Sequence, residues 1–476
     1  MKSRLAALGL ALLLAPPFAR AARADESTPP PDDPFPCPAS FREGVDFWKK
    51  VWGTWSLSQV VLHDTEHPSI VYEVFELPPP AGDVYTDAQR AFVKQHREAF
   101  AEKLRGIASR AAAGEALTDD EKAIVLTITQ TAGSGGLTGA ADRLRSQRGL
   151  RERFRRGLEI SGRYREAFAA IFREAGLPEG LADLPHVESS FQTAARSSAG
   201  AVGVWQFTRP AARKFMVVAP GIDERLDPVA AARGAARYLA SAYADLGSWP
   251  LAITAYNHGV EGMRAAKDRF GTDFEKILAE YDGRTFGFAS KNFYKEFLAA
   301  REIVASPATY FPEGVQPEVP LAQDRLTLDR PSAPGTLSAR YEVPLDTLAA
   351  MNPGWTKRAL AGRAELPAGT TVWLPEGTLI AAAEAPKPKH RPAPAAAAST
   401  EVAAEPATTA AASTAAVAST TAGHDGLVVH VVKKGETLFR IASHYGVSMV
   451  NLLSENGLHS DAVIRPGQHI RIPPVH

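Results

Sequence analysis

The sequence predicts a mainly α-helical body followed by two copies of a small α+β module, the second reached through a disordered linker. Three observations predict this. Apolar residues recur at helical spacing through much of residues 41–317. From about residue 318 the helical signal fades into Leu366-Pro367-Ala368-Gly369-Thr370-Thr371-Val372-Trp373-Leu374-Pro375, which returns in altered form as Ile464-Arg465-Pro466-Gly467-Gln468-His469-Ile470-Arg471-Ile472-Pro473. Between the copies, residues 377–426 are almost entirely Ala, Pro, Thr, Ser and Glu, without the large apolar residues that offset ordering entropy.

The chain has 476 residues with 53 Lys+Arg and 53 Asp+Glu, so no bulk field attracts nucleic acid. Residues 1–24 read as an export signal: Lys2 and Arg4, an apolar run from Leu5 to Ala15, and an Ala22-Arg23-Ala24 cleavage site. The run is too short to span a bilayer. Cys37 is the only cysteine, so no internal disulfide forms, and its neighbours Phe35, Pro36 and Pro38 do not suit a lipid-modified cysteine. The reading is an exported protein of the periplasm or cell envelope without a lipid anchor. No metal-ligand spacing and no Gly-rich phosphate loop occurs, so neither metal nor cofactor is expected.

Residues 25–40 are Pro-rich and expected to be disordered. Residues 41–176 read as a helical N-terminal region, with Phe47, Trp48, Val51, Trp52 and Trp55 at helical spacing as core, continued by Phe92, Phe100 and Leu104. His63-Asp64-Thr65-Glu66-His67 reads as a polar loop leading into the alternating strand Ile70 to Phe75. Gly133 to Gly139 breaks the helices, and Arg143 to Arg173 reads as one basic amphipathic helix with a solvated face.

The stretch Leu181-Ala182-Asp183-Leu184-Pro185-His186-Val187-Glu188-Ser189-Ser190-Phe191 organises the rest of the chain. Leu181, Leu184 and Glu188 fall at i, i+3 and i+7, which places an acid on an apolar helix stripe. Burial favours the neutral carboxyl, and a carboxyl protonated near neutral pH suits proton donation to a leaving oxygen. On spacing alone, an ion-paired or capped core carboxylate is the better reading of Glu188. After it come Ser197-Ser198-Ala199-Gly200-Ala201-Val202-Gly203-Val204-Trp205-Gln206-Phe207, where small residues let backbone approach a ligand and Trp205 with Gln206 offers a stacking face and an amide. Asp227-Pro228 starts a helix that Gly247 ends, Ser248-Trp249-Pro250 starts another carrying Ala255-Tyr256-Asn257-His258-Gly259, and a third ends at Gly271.

Glu188-Ser189, Gly203-Val204-Trp205-Gln206 and Ala255-Tyr256-Asn257, in that order, resemble the soluble lytic transglycosylase (SLT) domain, which shares a lysozyme-like core with goose-type lysozymes. With a helical N-terminal region and C-terminal LysM-like modules, the layout is similar to membrane-bound lytic murein transglycosylases of the D type. The resemblance implies an SLT domain over 177–317, a degenerate LysM-like module over 318–376 and a βααβ LysM domain over 427–474. It implies that Glu188 is the single catalytic acid and base, and that Ser197, Gln206 and Tyr256 hold the sugar. Asn257 fixes the backbone of the site. Two departures stand out: Val204-Trp205 replaces the usual Leu-Met, and Phe293, followed by Tyr294, stands where many relatives have a tyrosine. His186 and His258 read as structural. In the last module Val428 to Val432 is the first strand, Thr437 caps the first helix, Gly446 ends it and Gln468 to Ile472 is the last strand. The implied glycan groove there uses Gly435, Glu436, Thr437, Leu438, Ile464 and Gly467.

The resemblance thus implies cleavage of the bond between N-acetylmuramic acid and N-acetylglucosamine with formation of 1,6-anhydro ends. The implied partners are peptidoglycan glycan strands, with envelope proteins as further candidates. A lysozyme-like hydrolase and a non-catalytic wall-binding scaffold are the alternatives. Asp183, five residues from Glu188, falls on another side of the helix and is a poor second carboxylate.

Overall fold

The structure is a computed structural model that describes residues 33–80, 82–384, 421–422 and most of 428–473. The expected export signal, residues 25–32, most of the linker, and Gly435, Thr437 and Gly446 lie outside the described residues.

The segment 33–38, expected to be disordered, is part of the core. The Phe35 ring packs edge-on against Phe297 at 5.0 Å and lies under the Arg301 guanidinium at 4.6 Å. Helix α1 (Ala39–Gly53) follows, burying Phe41, Val45, Trp48 and Trp52 along one stripe as their spacing requires.

The N-terminal region also contains a sheet where mostly helix was expected. Strand β1 (Gln59–Asp64) runs between β2 (Val71–Glu76) and β3 (Leu144–Arg148), antiparallel to both. His63 and Asp64 are therefore buried strand residues and not a polar loop. Asp64 accepts hydrogen bonds from the amides of Glu66 and His67 and from Arg143 Nε at 2.8 Å, which uses its charge. Helices α2 (Asp87–Ala112) and α3 (Asp119–Ala132) begin with capping boxes at Thr86/Gln89 and Thr118/Glu121 and cover the sheet through Phe100, Leu104 and Ile128. The single helix expected over 143–173 is instead β3, α4 (Arg151–Ser161) and α5 (Arg165–Glu174). Close packing sets the breaks: a Cβ on Gly149 would lie 2.4 Å from the Trp55 carbonyl oxygen, and one on Gly162 2.4 Å from that of Glu318.

The second part of the body comprises α6 (Leu184–Glu188), α7 (Arg209–Phe215), α8 (Pro228–Leu246), α9 (Trp249–His258), α10 (Val260–Phe270), α11 (Phe274–Glu280), α12 (Phe288–Ala305) and α13 (Pro307–Tyr310). Asp227 caps α8 by accepting from the amides of Val229 and Ala230, and Gly247 closes it in the left-handed conformation at φ 68°. The alanine face of α8 (Ala231, Ala235, Leu239, Ala242) lets α9 approach closely, and α12 packs against α1, α6 and α9. One continuous core joins Phe35 and α1 to Trp205, Leu251 and Phe297.

The repeat is real in three dimensions. The first copy comprises β4 (Gln323–Thr327), α14 (Pro334–Tyr341), α15 (Leu345–Met351), α16 (Lys357–Leu360) and β5 (Thr371–Pro375), followed by α17 (Thr378–Glu384). The second comprises β6 (Thr421–Ala422), β7 (Val428–Val431), α18 (Leu438–Tyr445), α19 (Met449–Asn456) and β8 (His469–Ile472). The expected linker 377–426 is thus shortened at both edges by α17 and β6. Both copies are closed by the same asparagine: the Asn352 side chain spans the Leu348 carbonyl and both backbone groups of Trp373, and Asn456 does the same with Leu452 and Arg471.

The first copy is fused to the helical body. Ile222 is buried in the module core, the Asp223 amide donates to the Gly354 carbonyl at 2.7 Å, and Thr356 Oγ1 donates to the Pro220 carbonyl at 2.7 Å. A Cβ on Gly221 would lie 2.0 Å from the Glu365 carbonyl oxygen, so the two surfaces meet backbone to backbone.

The ordered role of the N-terminal arm is testable. Phe35→Ala is expected to destabilise the body by about 3–5 kcal/mol, the cost of emptying a buried phenylalanine site. Chemical denaturation followed by tryptophan fluorescence reads this; an unchanged midpoint would mean that the arm does not belong to the core.

Candidate active site

Glu188 ends a helix. The i, i+3, i+7 stripe runs from a 3-10 turn over Glu179–Asp183 into α6, so the apolar face is assembled across two helical segments. Leu181 and Leu184 are fully buried, while Glu188 is partly open to solvent. Beyond it Ser190 and Phe191 take left-handed conformations at φ 50° and 56°, which turn the chain back into the core. Non-glycine residues there indicate a backbone held by its surroundings.

Those surroundings come from the loop 195–207. Ser189 Oγ donates to the Val204 carbonyl at 2.8 Å, tying the end of α6 to the loop. Gly203 has φ 80°, and a Cβ there would lie 2.1 Å from the Arg225 carbonyl oxygen. Gln206 is also left-handed at φ 47°, and its Nε2 donates to the carbonyls of Gly203 at 2.7 Å and Ala195 at 3.3 Å. Tyr256 on α9 donates its hydroxyl to the Trp205 carbonyl at 2.8 Å, and Tyr238 on α8 donates to the Ala255 carbonyl at 2.6 Å. The two tyrosine rings meet edge-on at 5.1 Å.

The electrostatics single out Glu188. Desolvation by the surrounding protein, then the charge of Glu296, pushes its carboxyl up to about 8. It accepts no hydrogen bond from, and forms no ion pair with, any described residue. Burial raises the Tyr238 and Tyr256 hydroxyls, and a negative Glu188 would raise them further. Glu188 is therefore held neutral near pH 7, with Tyr238 and Tyr256 as neighbours that would feel its charge. The bland alternative of an ion-paired core carboxylate does not hold.

Glu188 has an acidic neighbour that the sequence reading did not include. Glu296 on α12 neighbours Glu188 electrostatically, and burial pushes it too up to about 8, against the lowering effect of Arg145. Sequence reading missed it. The available signal was an acid, Glu296, adjoining the buried Phe297 on a helix that also buries Asn292 and Phe293. Asp183 is raised to about 6 by burial, and its charged neighbours are Arg165 and Arg301.

The other expected residues divide. Gln206 and Tyr256 lie in the network that holds Glu188. Ser197 is exposed at the loop tip, where its Oγ accepts from the Ala201 amide at 3.0 Å. Trp205 is corrected: it is fully buried against Phe168 and Phe172, so its ring offers no stacking face, and only its carbonyl serves the site. Asn257 accepts from Ser290 Oγ at 3.0 Å, joining α9 to the start of α12. Tyr294 is fully buried and donates to the Pro36 carbonyl at 3.0 Å, so it does not stand in for a cleft tyrosine. His186 is stacked on Phe154 and tilted against Phe191, and burial lowers it to about 3, which keeps it neutral. Tyr238, read only as a helix residue, neighbours both Glu188 and Tyr256.

In the last module Leu438 is buried in the core with Ile464 packed beside it, and Glu436 accepts from the Lys433 amide and pairs with His430. Gly467 donates its amide to the Val432 carbonyl at 2.8 Å. These residues serve the module's own fold. Among the described residues no group of His, Cys, Asp and Glu is arranged to hold a metal, and no helix is long and apolar enough to cross a membrane.

The carboxyl pair makes a stability prediction. Both folded carboxyls lie above the ordinary value of 4.5. A raised carboxyl contributes stability that is complete below about pH 4.5 and is lost as pH rises towards 8, because the folded state binds the extra proton. The thermal midpoint should fall across that window, and Glu188→Gln/Glu296→Gln should flatten the fall. An unchanged slope in the double variant would remove these two groups as its cause.

Comparison with known proteins gives the site a context. Residues 167–278 match the Transglycosylase SLT domain and residues 430–473 match the LysM domain. The chain is similar to membrane-bound lytic murein transglycosylase D of Escherichia coli strain K12, 26% identical over 312 residues, which covers 64% of this chain and 62% of that protein. The same protein from E. coli O6:H1 gives the same figures. The match therefore spans less than two thirds of the length of these relatives. Among solved structures, the X-ray structure of an inactive mutant of the lytic transglycosylase Slt from Pseudomonas aeruginosa aligns with a TM-score of 0.24 at 20% identity, over 33% of this chain and 25% of that one.

Proposed function

From an SLT domain and a LysM domain in one chain, we propose an exported cell-envelope enzyme that cleaves the N-acetylmuramic acid to N-acetylglucosamine bond of peptidoglycan and leaves 1,6-anhydro ends. The observation that carries this reading is the Glu188 carboxyl, kept neutral near pH 7 by desolvation beside Tyr256 and Gln206. Glu188 donates its proton to the bridging glycosidic oxygen as the bond breaks. The muramyl N-acetyl oxygen supports the developing positive charge, as in substrate-assisted glycosidases. The resulting Glu188 carboxylate then takes the proton of the sugar's C6 hydroxyl, whose oxygen closes the anhydro ring. Proton donor and acceptor are one group, and no water is consumed.

Glu296 gives the hydrolase reading a specific basis, since a second carboxylate could activate water. Two features favour the anhydro reaction. A general base must be ionised, and Glu296 is itself held protonated near neutral pH. The positive shift of each group also means that the pair favours holding its protons, which suits donation.

Digestion of purified sacculi with mass analysis of the released muropeptides tests the reading; reducing ends in place of anhydro ends would replace it with hydrolysis. Glu188→Gln should reduce turnover by about 10²–10⁴-fold, the usual contribution of a general acid, while binding to sacculi is kept. Activity should decline as pH rises through about 8, where Glu188 ionises. Glu296→Gln should move that decline to lower pH and retain anhydro products, whereas loss of turnover would make Glu296 the base of a hydrolase.

The terminal LysM domain is proposed to hold the catalytic body at the wall. A weak binder on a tether raises local concentration without new contacts in the cleft. Removing residues 427–476 should weaken binding to sacculi and spare activity on short soluble glycans; equal loss on both would contradict the tether.

A further inference from the structure

The sheet of the first module presents one face to its own core and the other to the start of α8. Alternation along β4 and β5 sends Leu326, Val372 and Leu374 inward and Arg325, Thr327, Thr371 and Trp373 outward. On α8, Ala230, Arg233 and Arg237 fall at i, i+3 and i+7 and share one stripe. Between these two surfaces lies a cavity of about 170 Å³ lined by Arg233, Arg237 and Arg325. Like charges gathered beside a partly desolvated cavity cost free energy unless an anion joins them. Accordingly burial, then Arg325, lowers the Arg233 guanidinium, and burial lowers Arg237, with Arg233 adding to the effect against Glu224.

Two carboxylates also line the cavity, and both already accept backbone hydrogen bonds. Glu224 accepts from the Val217 amide at 2.6 Å. Asp227 accepts from the Val229 and Ala230 amides at 2.9 Å and from Trp373 Nε1 at 2.8 Å. Arg237 donates to the Phe215 carbonyl. Arg233 and Arg325 have no hydrogen bond or ion pair among the described residues, and neither do the hydroxyls of Thr327 and Thr371. The cavity thus offers two planar guanidinium forks and two hydroxyl donors to a guest.

We propose that this cavity is an anion site that takes a carboxylate of the peptides borne by the glycan substrate. The inference rests on the wall-cleaving function proposed above and adds a second recognition point to it. A guanidinium fork matches the two oxygens of a carboxylate. A cavity of about 170 Å³ has room for a carboxylate and the atoms next to it. Arg237, which lines the cavity, donates to the Phe215 carbonyl, and the Phe215 ring meets that of Tyr238 edge-on at 5.3 Å, so the cavity and the tyrosines near Glu188 share a neighbour. A peptide of a few residues, at about 3.3–3.6 Å each, bridges a gap of that order from a sugar in the cleft. Inorganic phosphate offers the same oxyanion chemistry from another source, so the experiment separates the two.

The test measures equilibrium binding of the full chain, in the Glu188→Gln background so that nothing is cleaved. The ligands are glycan strands with their peptides, the same strands stripped by an amidase, and inorganic phosphate. The peptide-bearing strands are expected to bind about tenfold more tightly than the stripped ones, a difference of about 1.4 kcal/mol. Arg233→Gln/Arg325→Gln should abolish that difference and leave binding of stripped strands unchanged, which also reports an intact fold. Equal preference in parent and variant, or no preference in the parent, overturns the proposal. Phosphate binding without a peptide preference would assign the cavity to a free anion and likewise overturn it. Failure of the function itself would look different: wild-type protein would release no product from either kind of strand, whatever the binding preference.

Discussion

A carboxyl group without a counter-charge is the constraint on which this site depends. Glu188 is placed by a helix that stops at it, is partly withdrawn from water, and receives no hydrogen bond or ion pair from any described residue. A free carboxylate in such a place is costly, so the group holds its proton instead. Preserving that state requires that nearby cations be used elsewhere. Arg145 lies over the Phe288 ring at 4.0 Å and acts on Glu296, and Arg225 is held by Asp223 at 2.7 Å. Arg165 and Arg301 act on the buried Asp183 instead.

Holding a neutral acid in position takes a rigid frame, and the frame is made of backbone. Ser189, Tyr256 and Gln206 all bond to main-chain carbonyls in the loop 195–207. That loop leans on Arg225, whose carbonyl fills the place of a Cβ at Gly203 and whose guanidinium donates to the carbonyls of Gly200 and Phe207. Arg225 in turn follows Ile222 and Asp223, which the first module grips. An unbroken line of contacts runs from the first module to the residues beside Glu188, so the module braces the site from behind.

Much of this was legible in the sequence, and the failures have physical reasons. The caps at Asp227 and Gly247, the aromatic core of α1 and the placing of Glu188 on an apolar stripe all follow from local rules, because each depends on residues a few positions apart. Trp205 misled because a large aromatic residue beside a polar motif fits a sugar platform as well as a core, and only the arrival of Phe168 and Phe172 from α5 decides. The buried strand end at His63-Asp64 was hidden because Arg143, which neutralises Asp64, is 79 positions away in sequence. Glu296 was hard to place for the same reason: what brings it near Glu188 is the packing of α12 on α6, a contact between distant segments. The arm around Phe35 was misread because its prolines speak for disorder locally, while Trp249 and Phe297 supply the burial.

The two modules show how one fold diverges under different attachments. Both keep the asparagine that locks the last strand to the second helix, and both keep the left-handed glycine before that strand, Gly369 and Gly467. Those features maintain the fold and are indifferent to what the surface does. The surfaces have since separated. In the first copy Trp373 reaches outward to Asp227 at the start of α8, while the matching position in the second copy is Arg471, an exposed charge. A tryptophan there commits the sheet to a neighbour, and an arginine keeps it in water. Docking of the first copy then brings Arg325, which stays exposed, beside Arg233 and Arg237 across a pocket that neither the helical body nor the module has alone.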